Sequence, residues 1–248
     1  MDLSANILLR YTLNIKGIPY RTVWVEYPDI KPLCLKIGAA ATEKLPDGSP
    51  LYTLPVIFDP NTSKAIADSA AIARYLDVTY PTHVPRLIPE DMDALHAAFQ
   101  AAFGATLFTG KHVPALCLPP SHALMNERSA GYFRATREAV LGPLEELAPE
   151  GSEKRKAHWE GLKGIFGTFA GWFGSDGKEK VLFSGGEQER ILYADVVVAA
   201  QLRWMKTLFG EESEEWRDVM SWDGGRWKKL VEVFGKYETV DEGSALEL

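Results

Sequence analysis

Proline cannot donate to a sheet ladder, yet one stands near the start of an apolar run that otherwise reads as a strand. The run is Leu54-Pro55-Val56-Ile57-Phe58. Asp59-Pro60-Asn61-Thr62-Ser63 follows, rich in residues that turn a chain back, and Ala65 to Ala67 makes the return strand of a hairpin. Asp68 and Ser69 supply a helix N-terminus, with Ile72, Tyr75, Leu76 and Thr79 at helical spacing. Tyr52 to Pro81 therefore reads strand, turn, strand, helix.

A cis Leu54–Pro55 bond resolves the conflict at the proline, because X–Pro is where cis bonds occur. Such a bond turns the Leu54 backbone outward, where its N–H and C=O can pair with an extended peptide. Asp68 and Ser69 lie nearby in this arrangement. Free N–H groups at the helix N-terminus favour a carboxylate, and Asp68 can accept from an α-amino group. These residues suit a small peptide carrying an amine and a carboxylate at one end. The alternative is a hairpin and helix with no ligand.

At 248 residues the chain suits two domains or one large one, and 46% hydrophobic residues allow a substantial core. A net charge of −7 argues against nucleic acid or an anionic membrane as partner. Cys34 and Cys117 are too few and too scattered for a disulfide framework or a metal site. Met-Asp-Leu-Ser lacks the pattern of a secretory signal, and no apolar run reaches membrane-spanning length. The expected location is cytoplasmic.

In order along the chain, Ser4 or Asn6 caps a helix that runs to Lys16 and stops at Gly17. Leu8, Tyr11 and Ile15 form one apolar face, Leu9 and Leu13 a second, so this helix is packed on two sides. Tyr20 to Tyr27 reads as a strand, Pro28 to Gly38 as a short helix, and Ala39 to Pro50 as a loop around Pro46-Asp47-Gly48. Three prolines between Thr79 and Pro89 mark a linker. Helices are expected over Glu90–His112, Ser121–Ala148, Ser152–Gly174, Tyr193–Phe209, Glu214–Met220 and Arg226–Tyr237, with Glu238–Leu248 a frayed tail. In the third of these, Gly161, Gly164, Gly167, Gly171 and Gly174 share an arc of about 140°. Close approach to a neighbouring helix is the preferred explanation, and a dimer contact the alternative. The five histidines form no ligand spacing, and no nucleophile elbow, P-loop or dinucleotide fingerprint is present.

Leu-Pro-Val-Ile at 54–57, followed by Asp-Ser-Ala-Ala-Ile at 68–72, resembles the glutathione site of the glutathione transferases. Tyr20 to Ile30 and Asp47 to Ile57 resemble a narrower group, the fungus-specific A class related to bacterial β-etherases. The resemblance implies an α/β thioredoxin-like domain over 1–80, a linker over 81–89 and an all-α domain over 90–248. It implies glutathione as co-substrate, no metal, and a homodimer acting in detoxification. The activity implied is conjugation of aromatic or phenolic electrophiles, or glutathione-dependent ether cleavage. The alternative is a non-catalytic carrier, or ligandin, of glutathione conjugates or plant phenolics.

Residue by residue, Leu54, Pro55, Asp68 and Ser69 fall on the family's glutathione-binding positions. Ser4 stands where the class has a serine near the thiol, with Asn6 second; the alternative for Ser4 is a helix cap. Lys44 is a candidate for the glycyl carboxylate, against a solvated lysine. Phe99, Phe103 and Phe108 occupy the region that helps line the acceptor pocket, against helical core. Ile191 to Asp195 resembles the family's capping box, but Leu192 has no side-chain oxygen to return the bond from Asp195. The family's opening strand, central in its sheet, has no counterpart here, and a truncated or mispredicted start is the preferred explanation. A fold without that strand leaves ladder groups bare, or fills the gap with another segment or protomer.

Overall fold

The computed structural model describes residues 3–81, 84–174, 177, 179–185, 190–240 and 243–246, with backbone alone for 3–5. The amino-terminal part runs α1 (Leu3–Lys16), β1 (Val23–Trp24), α2 (Ile30–Ile37), β2 (Glu43–Lys44), β3 (Pro50–Leu51), β4 (Val56–Asp59), β5 (Lys64–Ala67) and α3 (Ser69–Thr79). Helix α1 is packed on two sides as its pattern requires. Tyr11 and Ile15 enter the main core, while Leu13, with Leu9, joins Ile72 and Leu76 of α3. Gly17 ends it at φ 64°. The helix already includes position 4, so Ser4 lies inside the first turn and is not its cap.

The segment expected as a loop is a short antiparallel hairpin, with Glu43 opposite Leu51 and Lys44 opposite Pro50. Its turn is closed by Asp47, whose carboxylate accepts from the Ser49 N–H at 2.9 Å, an Asx turn too local to register as strand pattern. The β4–β5 hairpin pairs Val56 with Ala67 through Asp59 with Lys64. Asp59 binds it to α3: its carboxylate accepts from the Tyr75 hydroxyl (2.5 Å), the Tyr80 hydroxyl (2.6 Å) and the Asn61 N–H (2.9 Å).

No strand precedes α1 among the described residues, and the free edge of β1 is taken from the other end of the chain. Ser244–Ala245 forms β6, parallel to Val23–Trp24. Ser244 N–H donates to Thr22 C=O at 3.0 Å and Leu246 N–H to Trp24 C=O at 3.1 Å. Leu246 packs on the cluster of Val25, Ile30, Cys34 and Ala39. Gly243, at φ 72°, lets the chain in: a Cβ there would stand 2.6 Å from Trp24 Nε1 and 3.0 Å from Thr22 O. Upstream, the Asn14 amide donates to Tyr237 C=O (2.7 Å) and Thr239 C=O (2.9 Å). The tail is therefore anchored over its described residues, not frayed, and another segment covers the β1 side of the gap, while β4 pairs only with β5 among the described residues.

The helical part comprises α4 (Asp93–Leu107), α5 (His112–Ala123), α6 (Glu127–Leu141), α7 (Leu144–Leu147), α8 (Glu153–Phe173), α9 (Tyr193–Phe209) and α10 (Glu214–Phe234). The helix expected over Glu90–His112 breaks at Gly110 (φ 63°) and Lys111 (φ 56°). Pro119 and Pro120 lie inside α5 and do not start a helix, and Ser121–Ala148 is divided among α5, α6 and α7. Helix α10 is interrupted at Trp222–Gly225, so its halves match the two helices expected there. Leu162, Ile165, Phe166, Phe169 and Phe173 of α8 are buried. The glycine arc opposite them meets neighbouring helices at two points and is otherwise open. A Cβ on Gly161 would run into the His112 ring of α5 and one on Gly167 would stand 3.7 Å from Asp223 Oδ1 of α10, while Gly164 and Gly171 have open space where a Cβ would go.

Helix α9 packs along α1 and carries the centre of the core. Asp195 accepts from the Leu192 N–H and the Phe183 N–H, both at 2.8 Å. A second junction joins α6 to the turn after β1: Arg128 forks onto Asp29 at 2.5 and 2.6 Å, and Glu26 accepts from Ser129 and Asn126.

Three outcomes follow for stability. Gly164→Ala should raise it by about 0.5–1 kcal/mol by restricting the unfolded chain, while Gly161→Ala should lower it by about 1–3 kcal/mol by overpacking against His112; denaturant midpoints of the two variants check the opposite signs. Leu192→Ser would complete a reciprocal cap worth about 0.5–2 kcal/mol. However, Leu192 is 3% exposed, and emptying such a site costs about 2–5 kcal/mol, so the midpoint should fall. Finally, hydrogen bonds from Tyr75 and Tyr80 hold the Asp59 carboxyl down to about 2. Its contribution is present above the unfolded value near 3.9 and is lost as pH falls through 2; Asp59→Asn should flatten the acid limb of stability between pH 4 and 2.

Candidate functional site

The α3 N-terminus emerges from β5 through one residue in an uncommon conformation. Asp68 has φ 76° and ψ 128°, a region that costs a non-glycine residue about 1–3 kcal/mol and persists only where the surroundings impose it. Its carboxylate Oδ1 accepts from the N–H groups of Ala70 (3.1 Å) and Ala71 (2.8 Å). Both capping bonds fall on one oxygen, and among the described residues none falls on Oδ2. Ser69 is the first helical residue and is half-buried, while Ala70 behind it is buried. The helix N-terminus thus presents an acceptor, a hydroxyl and the partial positive charge of unpaired N–H groups side by side.

The Leu54–Pro55 bond is cis. Pro55 is buried and Leu54 half-buried, just ahead of the β4–β5 ladder that begins at Val56. Leu54, Pro55, Asp68 and Ser69 therefore bracket one hairpin, the first pair entering β4 and the second leaving β5.

Other candidates are placed differently. Lys44 is exposed on β2, beside a separate hollow of about 330 Å³ lined by Ala41, Thr42, Glu43, Gly48 and Pro50. Position 4 has only its backbone described; Asn6 is half-buried on α1. The two positions are about 200° apart around a helix, so they do not share a face. Phe103 is 7% exposed and stacks on Phe169, which makes it core rather than pocket lining. Phe99 is partly buried against Phe103, Trp172 and Phe183. Phe108 is 63% exposed, because it lies about 180° around the helix from Phe99. The three phenylalanines do not line one pocket.

Cys34 and Cys117 are free and buried, and burial pushes the Cys117 thiol up to about 12. No cluster of three His, Cys, Asp or Glu side chains fit to hold a metal occurs among the described residues. His112 and His158 meet at 3.1 Å through their Nδ1 atoms, far from the α3 N-terminus in the chain. No described helix is long and apolar enough to cross a membrane. One residue that sequence pattern did not single out reaches this site from the helical part: Tyr193, the first residue of α9, fully buried against Ser69. Its position in an apolar run reads simply as core.

Residues 9–79 match the family model for the glutathione S-transferase N-terminal domain, and residues 94–237 match that for the C-terminal domain. A glutathione S-transferase-like protein of Aspergillus flavus, ustS, is 33% identical over 241 residues, covering 92% of this chain and 82% of that protein. A glutathione S-transferase of Ceriporiopsis subvermispora, solved in complex with glutathione, is 48% identical with a TM-score of 0.91, over 97% of this chain and 92% of that one. Glutathione transferase GSTFuA3 of Phanerochaete chrysosporium is 42% identical with a TM-score of 0.84, over 96% and 91%. Agreement in sequence and in shape across both halves makes this chain a member of the glutathione S-transferase family.

Proposed function

We propose that this glutathione transferase binds glutathione at the α3 N-terminus and uses it against aromatic or phenolic electrophiles. The observation that carries the reading is the pairing of Asp68 and Ser69. Asp68 Oδ2 suits the α-amino group, and the Ser69 hydroxyl with the α3 N–H groups suits the α-carboxylate. Leu54 offers its backbone to the peptide portion beside Pro55. Lys44 is a solvated lysine in this reading unless the hairpin bearing it folds over the glycyl end.

The sulfur comes from the co-substrate, since both of the protein's own thiols are buried. The start of α1 stabilises the thiolate through its unpaired N–H groups, with Ser4, or else Asn6, as the added donor. In conjugation the sulfur attacks an electron-poor ring carbon, a C–S bond forms, and halide leaves with the bonding electrons. In ether cleavage the sulfur attacks the carbon bearing an aryloxy group, and a phenolate leaves. The thiol proton goes to solvent in both. Phe99, with Trp172 and Phe183 around it, is the aromatic surface assigned to the acceptor.

The domain division at 1–80, 81–89 and 90–248, a homodimer, a cytoplasmic location and a detoxifying or ligandin role complete the proposal. Retention on immobilised glutathione together with turnover of a chlorinated nitrobenzene separates a transferase from a carrier. Ser69→Ala should weaken glutathione binding by about 1.5–3 kcal/mol, the loss of a hydrogen bond to a charged group. A calorimetric titration that finds unchanged affinity would remove Ser69 from the site.

A further inference from the structure

Tyr193 opens helix α9, on the far side of the domain junction from the glutathione site. Its backbone is fixed, with N–H donating to Leu87 C=O at 2.8 Å. Its ring is 0% exposed. The hydroxyl lies against the Ser69 side chain, with Asp68 and Arg74 as the nearest charges, yet it makes no aligned hydrogen bond to any described residue. A buried hydroxyl without a partner is uncommon and calls for an explanation in the chemistry around it.

We infer that Tyr193 is a positioning residue for glutathione recognition, its phenol donating to Ser69 Oγ once the ligand's α-carboxylate engages the Ser69 proton. This inference rests on the assignment of Asp68 and Ser69 to the α-amino-acid end of glutathione. The argument is one of proton inventory. A serine hydroxyl has one proton and two acceptor lone pairs. A carboxylate at the α3 N-terminus can only accept, so it takes the Ser69 proton and leaves a lone pair of Oγ facing inward. The Tyr193 phenol lies against Ser69 on that side. Burial keeps that phenol protonated throughout the physiological range, so it is always a donor. The chain Tyr193 O–H to Ser69 O–H to carboxylate then polarises each bond in the same sense. The orphan hydroxyl is satisfied in the complex, and the helical part of the molecule senses whether the amino-terminal part holds its ligand.

The test compares wild type, Tyr193→Phe, Ser69→Ala and the double variant. Phenylalanine keeps the ring and deletes only a hydroxyl that makes no aligned hydrogen bond to a described residue in the free protein. The ligand-free melting temperature of Tyr193→Phe should therefore be unchanged or higher, while its affinity for glutathione falls about fivefold. In the Ser69→Ala background the same change should have no further effect on affinity. A lower melting temperature without ligand would mean that the hydroxyl is already bonded in the free protein, and would overturn the inference. So would an affinity equal to wild type beside a weakened Ser69→Ala, which leaves the site assignment standing. Equal losses in both backgrounds would show that Tyr193 acts other than through Ser69, and would overturn it too. If Ser69→Ala itself binds like wild type, the site assignment fails and the inference with it.

Discussion

The arrangement of this protein depends on one ion pair placed where water cannot reach it. Lys16 at the end of α1 and Asp77 near the end of α3 meet at 2.7 Å, with side chains 1% and 2% exposed. Desolvating two charges costs several kcal/mol each, and their attraction offsets this only when the remaining hydrogen-bonding capacity is filled. The carboxylate is well supplied: Asp77 Oδ1 also takes the Leu87 N–H at 3.2 Å, and Oδ2 takes the Ile88 N–H at 2.9 Å. The crossing between the two parts of the molecule is thereby clamped to the first and third helices. Leu87 passes the constraint on, since its C=O holds the N–H of Tyr193.

This clamp fixes one end of α3, and the candidate site is the other. A residue in the conformation of Asp68 persists only because both its flanks are held. On one side stands the hairpin, bound to α3 through Asp59, Tyr75 and Tyr80. On the other stands the helix, whose Ile72, Ala73 and Leu76 are fully or almost fully buried. The strain at Asp68 is thus borne by contacts distributed over the length of α3, which leaves the acceptor and hydroxyl at its tip preset before any ligand arrives.

What could be read from the residues was local. The cis proline, the hairpin, the α3 start at Asp68-Ser69, the two-faced α1, the limits of α9 and the break in α10 each follow from side chains within a few positions of one another. What could not be read depends on distant partners. Lys16 and Asp77 resemble two surface charges until the fold brings them together. The glycines of α8 look like a packing seam, yet Gly164 and Gly171 have open space beside them. Phe108 reads as part of a row with Phe99 and Phe103, but the helix turns it to the opposite side. Tyr193 passes for core because nothing near it in the chain hints at Ser69. The family resemblance supplied the ligand; the residues alone supplied only its charges and its extended form.

The pairing of β1 with β6 has a consequence for how the molecule is made. Val23–Trp24 is synthesised about 220 residues before Ser244–Ala245. At about 5–20 residues per second this is a wait of roughly 10–45 s. Throughout that interval β6 does not yet exist, and the edge of β1 that it pairs with stays open. The helical part can begin to fold during that interval, but this pairing waits until β6 has been made and has left the ribosome. The nascent chain therefore carries an open strand edge for at least that long, and that edge is where a chaperone, or a second nascent copy, would first find it.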